Sequence, residues 1–197
     1  MPFRENSEVD MKKISEKMVY EGQWLSVYES VYETKKGEAI TWESIRRRKS
    51  ATGVVVLARL MPSKRFVLIK QFRPAAQGYV LGLPAGLAFG DPNHALVELK
   101  EETGYTGKII SVSPVLKTGS TITNENGLIV SIEVDECDPA NQDPQQELEP
   151  GEDIEVCLVK REDAVDFIKS EQAKGTHISS ALWYMFGIMI NKQGTDE

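Results

Sequence analysis

The sequence is poor in the residues that most often build cross-linked or histidine-based sites. It has two cysteines and two histidines in 197 residues. Cys137 and Cys157 have no metal-ligand spacing and cannot form a disulfide framework, so we expect buried or inert thiols. His94 and His177 are a poor basis for a catalytic triad. The chemistry of this chain must therefore rest on other side chains.

The chain also lacks a long apolar run and an excess of basic charge. No stretch is long and apolar enough to span a membrane, and the start, MPFRENSEVDMKK, has no signal-peptide core. With 23 basic and 30 acidic residues, the net charge is −7, which argues against nucleic acid or an anionic membrane as the main partner. We expect a cytoplasmic protein with one sizeable domain and a small extension.

Acidic residues are concentrated in one short predicted helix, Pro92 to Thr103. Asp91 suits its N-cap, and Gly104 suits the left-handed residue that ends it. Three glutamates stand at i, i+3 and i+4, so their carboxylates project from one face: Glu98, Glu101 and Glu102. The pattern predicts a strongly anionic helix face.

Like charges on this face repel one another and lie in the last turn, where the helix dipole favours cations. A divalent cation bound by hard oxygen ligands would offset that repulsion. A solvated, glutamate-rich helix end is the alternative, and the helix alone does not decide between the two.

The segments on either side of the helix carry a family resemblance. Leu83-Pro84-Ala85-Gly86 precedes it and Glu-Glu-Thr-Gly-Tyr ends it, and together they resemble the loop-helix-loop motif of Nudix hydrolases. The resemblance implies an α/β fold, a Nudix α/β/α sandwich with a mixed sheet preceded by an N-terminal antiparallel β-hairpin. It also implies Mg2+, or Mn2+ in its place, held by Glu98, Glu101, Glu102 and the Ala85 carbonyl.

The motif departs from the family pattern at three points. Val97 stands where the family has an arginine before the first metal glutamate, and the interval from Gly86 to Gly104 is three residues shorter. Gly82 replaces a glutamate that related pyrophosphatases often carry. These differences predict a weakened or altered metal site.

The N-terminal part divides into a polar segment, residues 1–13, predicted to be loose, and a β-hairpin subdomain, residues 14–50. The strands LSVYESVYET and AITWESIRRR flank a turn at Lys35 to Glu38. Trp24, Trp42 and the basic run that contains Arg47 lie on this hairpin. The rings predict either a base-stacking site beside phosphate binders or anchors that fix the hairpin to the core.

The hairpin, taken with KQFRPAAQGYVLGLPAG, resembles the ADP-sugar pyrophosphatase branch of the Nudix family, especially the animal ADP-ribose enzymes. That resemblance implies a domain-swapped homodimer in which Trp24 and Trp42 from different chains sandwich adenine. Glu43 is then implied as a base contact and Arg73 as a phosphate ligand.

Two loops complete the predicted site. The segment Ile122 to Glu125 resembles the loop that borders the terminal ribose, which implies a substrate contact for Glu125, with a solvated hairpin loop as the alternative. The acidic loop Asp135 to Gly151 leads to Glu152, which matches the family glutamate that orients or deprotonates water. A solvated loop charge is an equal alternative for Glu152.

Residues 51–197 are expected to form the Nudix domain, which ends in two helices, REDAVDFIKSEQ and SSALWYMFGIMIN, with Trp183 in the core. The resulting hypothesis is hydrolysis of a nucleoside diphosphate sugar, with ADP-ribose giving AMP and ribose 5-phosphate. One alternative is a catalytically silent domain that binds a nucleotide sugar as a sensor, as the changes at Val97 and Gly82 suggest. Another is the same chemistry on a different nucleoside diphosphate derivative.

Overall fold

The structure, a computed structural model, describes residues 11–48 and 52–187. The strands are β1 (Met11–Glu21), β2 (Leu25–Thr34), β3 (Ala39–Arg47), β4 (Thr52–Met61), β5 (Phe66–Arg73), β6 (Gly78–Gly82), β7 (Ala85–Leu87), β8 (Lys108–Val112), β9 (Leu116–Lys117), β10 (Asn126–Asp135), β11 (Ile154–Val159) and β12 (His177–Ile178). The helices are α1 (His94–Thr103), α2 (Ala164–Ala173) and α3 (Ser180–Leu182), and a π-helical segment, Trp183–Gly187, follows α3.

The first compact unit contains a three-stranded antiparallel sheet in the order β1-β2-β3. The predicted hairpin is confirmed as β2 and β3, and Gly37 in its turn takes a left-handed φ of 79°. The strand β1 was not predicted. Every residue of β1 is exposed, and Lys, Ser and Glu interrupt its apolar residues, so the alternating pattern of a half-buried strand is missing.

The predicted loose segment, residues 1–13, is only partly within the described residues. Residues 1–10 lie outside them, whereas residues 11–13 already belong to β1, so the prediction was wrong for those three. Residues 115–127 belong to the first unit, although the predicted Nudix domain, residues 51–197, included them. There, the Ile45 backbone N–H donates to the Ile122 carbonyl at 2.8 Å.

The second compact unit, residues 53–114 and 128 onward, is built on a mixed sheet with strand order β12-β6-β5-β4-β10-β8. The strand β5 pairs antiparallel with β6 and β11, whereas β6 pairs in parallel with β12. β7 adds to the edge of β4, with Val55 opposite Ala85. The predicted mixed sheet is confirmed.

Helices cover both faces of this sheet. Leu99 of α1 packs in one core cluster with Val54 and Val56, whereas Ile168 of α2 packs in another cluster against which Leu57 lies. Alternate residues of a strand point to opposite faces, so α1 and α2 lie on opposite sides of β4. The predicted α/β/α sandwich is therefore confirmed.

One prediction about a buried side chain was wrong. Trp183 is 43% exposed, because the π-helical segment turns Phe186 into the core instead. Cys137 is exposed in the turn after β10, whereas Cys157 is half-buried; both are free thiols. In the described ranges, the helices are too short or too polar to cross a bilayer.

Candidate active site

Local turns set where α1 begins and ends. The helix begins at His94 rather than at Pro92, because the Asp91 carboxylate accepts a hydrogen bond from the Asn93 backbone N–H at 2.9 Å and closes a separate turn first. Asp91 therefore caps the turn that leads into α1, and the helix begins two residues later than predicted. The predicted end is confirmed: Gly104 has a φ of 77°, and its N–H donates to the Lys100 carbonyl.

A cavity of about 310 Å³ lies beside α1, and we call it the acidic cavity. It is lined by Ala85, Gly86, Leu87, Phe89, Glu98, Glu101, Glu102, Glu149 and Glu152. All four residues of the predicted metal site are thus brought together with Glu152, the predicted base. Glu149 was not selected from the sequence, although its position three residues before Glu152 in an acidic loop was a usable signal.

The loop before α1 and the helix interlock through two glutamates. Glu102 is 2% exposed, and one of its carboxylate oxygens accepts a hydrogen bond from the Ala85 backbone N–H at 2.9 Å. The Glu98 carboxylate lies directly against Gly86, where a Cβ would come within 1.8 Å of Glu98 Oε1. Only glycine leaves room at residue 86 for Glu98 in this position.

Burial raises the pKa values of these two carboxyl groups. Burial raises the pKa of Glu102 to about 8, and the negative charges of Glu98 and Glu152 raise it to a lesser degree. The hydrogen bond from the Ala85 N–H acts in the opposite direction and lowers this pKa. The pKa of Glu98 is raised to about 7 by burial and then by the charges of Glu101 and Glu152. Neither carboxyl group is therefore fully ionised near neutral pH, and a positive charge in the cavity would favour the ionised form of both.

The residues around α1 do not supply that charge. Val97, where the family has an arginine, is 47% exposed and uncharged. Lys100 is turned toward the following loop, where its Nζ lies 3.4 Å from a Glu147 carboxylate oxygen. The sequence departure at Val97 thus leaves the cavity carboxylates without a neighbouring arginine on the helix.

The donor set nevertheless suits a hard divalent cation. Carboxylate oxygens and a backbone carbonyl are the ligands that magnesium and manganese prefer, and a cation would offset the cost of burying charged carboxylates. Within the described residues, no three His, Cys, Asp or Glu side chains already form a coordination shell. Metal binding at this cavity would therefore require rotation of the carboxylates.

The loop after β10 is tied to the last turn of α1. Gln146 Nε2 donates to the Glu102 carbonyl at 2.6 Å, and the Glu147 N–H donates to the Glu101 carbonyl at 2.8 Å. Both bonds use helix-end carbonyls that have no partner within the helix. They fix the segment that brings Glu149 and Glu152 to the cavity, where the Glu149 N–H donates to Glu152 Oε2 at 2.9 Å.

The predicted base-binding residues lie in the three-stranded unit. Trp24 is 64% exposed and Trp42 is 50% exposed, so neither ring is a core anchor within the chain. The Trp42 indole N–H donates to the Thr121 carbonyl at 3.1 Å. Arg47 forms an ion pair with Glu125, which brings these two predicted substrate contacts together.

Strand register separates the two tryptophans. Trp42 is opposite Ser30 in the β2–β3 ladder, whereas the Trp24 carbonyl accepts a hydrogen bond from the Arg48 N–H. Trp24 is therefore offset from Trp42 by six residues of strand, or about 20 Å at the usual rise per residue. One base cannot contact both rings of the same chain. Glu43, on the same strand, is exposed and opposite Glu29.

Comparisons with known proteins identify the family to which the chain belongs. No family model matches the chain. It is 34% identical to "ADP-ribose pyrophosphatase" of Saccharomyces cerevisiae, covering 87% of this chain and 79% of the yeast protein. It is 31% identical to "Putative nudix hydrolase 2" of Caenorhabditis elegans, covering 89% and 84%. The chain belongs to the Nudix hydrolase family.

Two further comparisons refine this result. The Nudix hydrolase described here is 30% identical to "ADP-sugar pyrophosphatase" of Mus musculus, over 96% of this chain and 93% of the mouse protein. A solved structure, "Crystal structure of ADP compounds hydrolase", matches with a TM-score of 0.66 at 17% identity, covering 96% and 99% of the two chains. The predicted resemblance to the ADP-sugar pyrophosphatase branch is confirmed, and the structural match shows the shared fold.

A second cavity of this Nudix hydrolase, of about 220 Å³, shares Ala85 with the acidic cavity, and we call it the Gln71 cavity. Arg73, at the end of β5, lines it and lowers the pKa of nearby Glu102 slightly. Gln71 is only 6% exposed, and its side-chain oxygen has no hydrogen-bond partner. An unsatisfied buried acceptor costs about 1–3 kcal/mol of stability.

Proposed function

We propose that this Nudix hydrolase cleaves the diphosphate bond of a nucleoside diphosphate sugar, with ADP-ribose giving AMP and ribose 5-phosphate. The acidic cavity carries this proposal: it gathers five carboxylates and the Ala85 backbone next to the cavity that Arg73 lines. The names of the yeast and mouse relatives support ADP-ribose and ADP-sugars as the substrate class.

The proposal gives each residue of the site a role. Glu98, Glu101, Glu102 and the Ala85 carbonyl are the proposed ligands of Mg2+, or of Mn2+ in its place. A bound ion of this kind offsets the charge of the diphosphate and lowers the pKa of a bound water. The planar guanidinium of Arg73 suits paired phosphate oxygens.

Glu152 is the proposed base. Its carboxylate lies in the acidic cavity, where the Glu149 N–H holds it. In this position it is available to accept a proton from the attacking water, and the bond between phosphorus and the bridging oxygen then breaks. Glu149 contributes a second carboxylate, and therefore further negative charge, to the same cavity.

The base is assigned to the three-stranded unit. Trp24 and Trp42 supply stacking surfaces, Glu43 contacts the base, and the Arg47–Glu125 pair completes the substrate site. Because the two rings are about 20 Å apart along the ladder, a sandwich needs Trp24 from one chain and Trp42 from another. We therefore propose a homodimer with exchanged N-terminal strands.

The first test is release of AMP from ADP-ribose by purified protein with Mg2+, alongside a panel of other nucleoside diphosphate sugars. We expect turnover that EDTA abolishes and that Glu102→Gln lowers by on the order of 10³-fold, the effect of several kcal/mol of lost charge stabilisation. The matched control is Glu147→Gln, because Glu147 lies outside the acidic cavity. Equal activity of wild type and Glu102→Gln would contradict the assignment.

The dimer is tested by mixing two weakened variants, Trp24→Ala and Trp42→Ala. If the site takes one ring from each chain, mixed dimers contain one intact site, and random exchange restores about a quarter of the wild-type sites. Either variant alone should keep a low activity on ADP-ribose. No recovery in a mixture shown to contain mixed dimers would refute the exchanged arrangement.

A sensor without catalysis is the second candidate. It is favoured by Val97 and by the raised pKa values of Glu98 and Glu102, which weaken metal binding near neutral pH. Binding of ADP-ribose without hydrolysis, with either Mg2+ or Mn2+, would select this function. Turnover of another member of the panel, but not of ADP-ribose, would select a different nucleoside diphosphate substrate.

We also propose a cytoplasmic location, supported by the two free thiols and the absence of a disulfide framework in the sequence. Fractionation of cells that express the full chain, with the reduced state of Cys137 measured by alkylation, tests this location. Recovery in an oxidising compartment would contradict it.

A further inference from the structure

The Gln71 cavity contains a polar group that the protein itself does not satisfy. Gln71 lies on β5 between two neighbouring strands, opposite Val80 on one side and Ile154 on the other. Its side chain is more than nine-tenths buried, and its oxygen has no hydrogen-bond partner. Buried polar side chains in folded proteins are nearly always paired, so this oxygen calls for a donor from outside the chain.

The cavity exists partly because residue 82 has no side chain. Gly82 is opposite Ile69 in the β5–β6 ladder, two pairs along from Gln71 and therefore on the same face of the sheet. A Cβ built on Gly82 meets only Ser179 Cβ, at 3.6 Å, and its φ is not left-handed. The backbone therefore accepts a larger residue here, and the empty space is not required by the fold.

The residues that line the Gln71 cavity indicate what kind of chemical group it can bind. The volume, about 220 Å³, corresponds to roughly seven water molecules at ~30 Å³ each, which is also room for one sugar ring. Arg73 supplies a cation at the wall, and no carboxylate of the described residues forms an ion pair with it. Apolar side chains, including Ile69 and Val80, form much of the remainder.

We propose that the Gln71 cavity is a subsite for the hydroxyl-bearing sugar of the substrate, with the Gln71 side-chain oxygen accepting a hydrogen bond from a sugar hydroxyl. This inference rests on the proposed function. A phosphate held by Arg73 places the group attached to it beside the same cavity. Ala85 lines both cavities, so the diphosphate and its sugar follow one continuous path within this unit.

The test compares two substrates that differ only in the sugar. ADP-ribose has the second ribose, whereas ADP methyl ester has the same adenosine and diphosphate without it. Gln71→Met keeps the side-chain size but removes the acceptor, and Gly82→Leu fills the cavity. We expect each variant to lower kcat/KM for ADP-ribose by about tenfold, mainly through KM, and to change that for ADP methyl ester less than twofold.

The matched control is Phe72→Leu. Phe72 follows Gln71 in β5 and its side chain is 42% exposed on the opposite face, so both substrates should be unaffected. Thermal unfolding checks that the variants fold. Equal losses of kcat/KM for the two substrates, or no loss for either, would refute the subsite. Either result would indicate that the cavity holds only water.

A binding measurement separates this inference from the proposed function. If wild type hydrolyses neither substrate, the hydrolase proposal fails, and titration calorimetry with ADP-ribose and with ADP then tests the subsite alone. The subsite predicts that Gln71→Met weakens ADP-ribose binding about tenfold and leaves ADP binding unchanged. Equal affinities of wild type and Gln71→Met for ADP-ribose would refute it.

Discussion

Glutamates in the acidic cavity and in the three-stranded sheet titrate in opposite directions. The pKa values of Glu98 and Glu102 are raised by burial to about 7 and about 8, whereas that of Glu16 is lowered to about 2, chiefly by a hydrogen bond from Arg46. In the sheet, three consecutive arginines pair with carboxylates, Arg46 with Glu16, Arg47 with Glu125 and Arg48 with Glu21.

Charges that stabilise the fold are paired within the chain, whereas charges that bind a ligand are left without a partner in it. Arg46 and Arg48 neutralise Glu16 and Glu21 within the first unit, so those two charges need nothing further from solution. The cavity brings carboxylates together without that compensation, and must take up protons or a cation. Unbalanced buried charge of this kind is typical of functional sites.

The largest expected effect on stability concerns Glu102 without metal. Its folded pKa, about 8, lies above the ordinary value of 4.5, so the stability it contributes at low pH is lost as the pH rises through that range. Glu102→Gln keeps the acceptor for the Ala85 N–H and removes the charge. In EDTA at about pH 8, we expect the variant to be more stable by about 2–4 kcal/mol.

The measurement is urea unfolding of wild type and variant at several pH values. Below about pH 4.5, where the carboxyl is protonated in both states, the difference should disappear. Glu147→Gln, an exposed control, should show no such trend. A Glu102→Gln variant less stable than wild type at high pH would show that the cavity balances its own charge after all.

The loop that Gln146 attaches to the end of α1 gives the next largest expected effect, which is on activity. Gln146→Leu removes the hydrogen bonds to the carbonyls of Glu102 and Ile154, so Glu149 and Glu152 lose their fixed position. We expect kcat/KM for the diphosphate substrate to fall about tenfold. Gln145→Leu is the matched control, because the Gln145 side chain donates only within its own loop, to the Asp143 carbonyl. Equal activities of the two variants would show that the anchor is unnecessary.

The ion pair in the sheet should have a smaller effect with the opposite pH dependence. The folded pKa of Glu16 is lowered, so its stabilising contribution is present above pH 4.5 and is lost as the pH falls toward about 2. Glu16→Gln should destabilise the protein by about 1 kcal/mol near neutral pH, because the pair is partly hydrated. A double-mutant cycle with Arg46→Met measures the coupling, and a value near zero would place this pair among ordinary surface charges.

Backbone strain gives the smallest expected effect. The turn of the three-stranded sheet places Gly37 in a left-handed conformation, whereas the acidic cavity places Phe89 there, with φ of 48° and a side chain 66% exposed. Asparagine tolerates this conformation better, so Phe89→Asn should raise the free energy of unfolding by about 0.5 kcal/mol. Leu87→Asn, on the extended strand β7, should not stabilise, and a similar gain there would argue against strain at Phe89.

The parts of the site that were predicted from sequence depend on short-range geometry. Spacing within one helix fixes the face shared by Glu98, Glu101 and Glu102, and a glycine after the last turn marks where α1 ends. The strands of the second unit were recognisable because they are continuous apolar runs, such as the one around Val54.

The parts that were missed depend on contacts distant in sequence. Nothing local to Gln146 indicates that its side chain reaches the carbonyl of Glu102, and the exposure of Trp183 follows from a π-helical segment that its apolar sequence conceals. The strand β1 is exposed along its length, so hydrophobic periodicity could not reveal it. Even the start of α1 was shifted by one side-chain hydrogen bond, between Asp91 and Asn93.

The close contact between Gly86 and Glu98 has a consequence for how the sequence tolerates mutation. Because a Cβ at residue 86 would overlap the Glu98 carboxylate, every substitution there displaces a proposed metal ligand while leaving the two hydrophobic clusters intact. In a saturation library selected for activity, residue 86 should therefore be as intolerant as the glutamates themselves. In the same library sorted for abundance, it should resemble an ordinary surface loop.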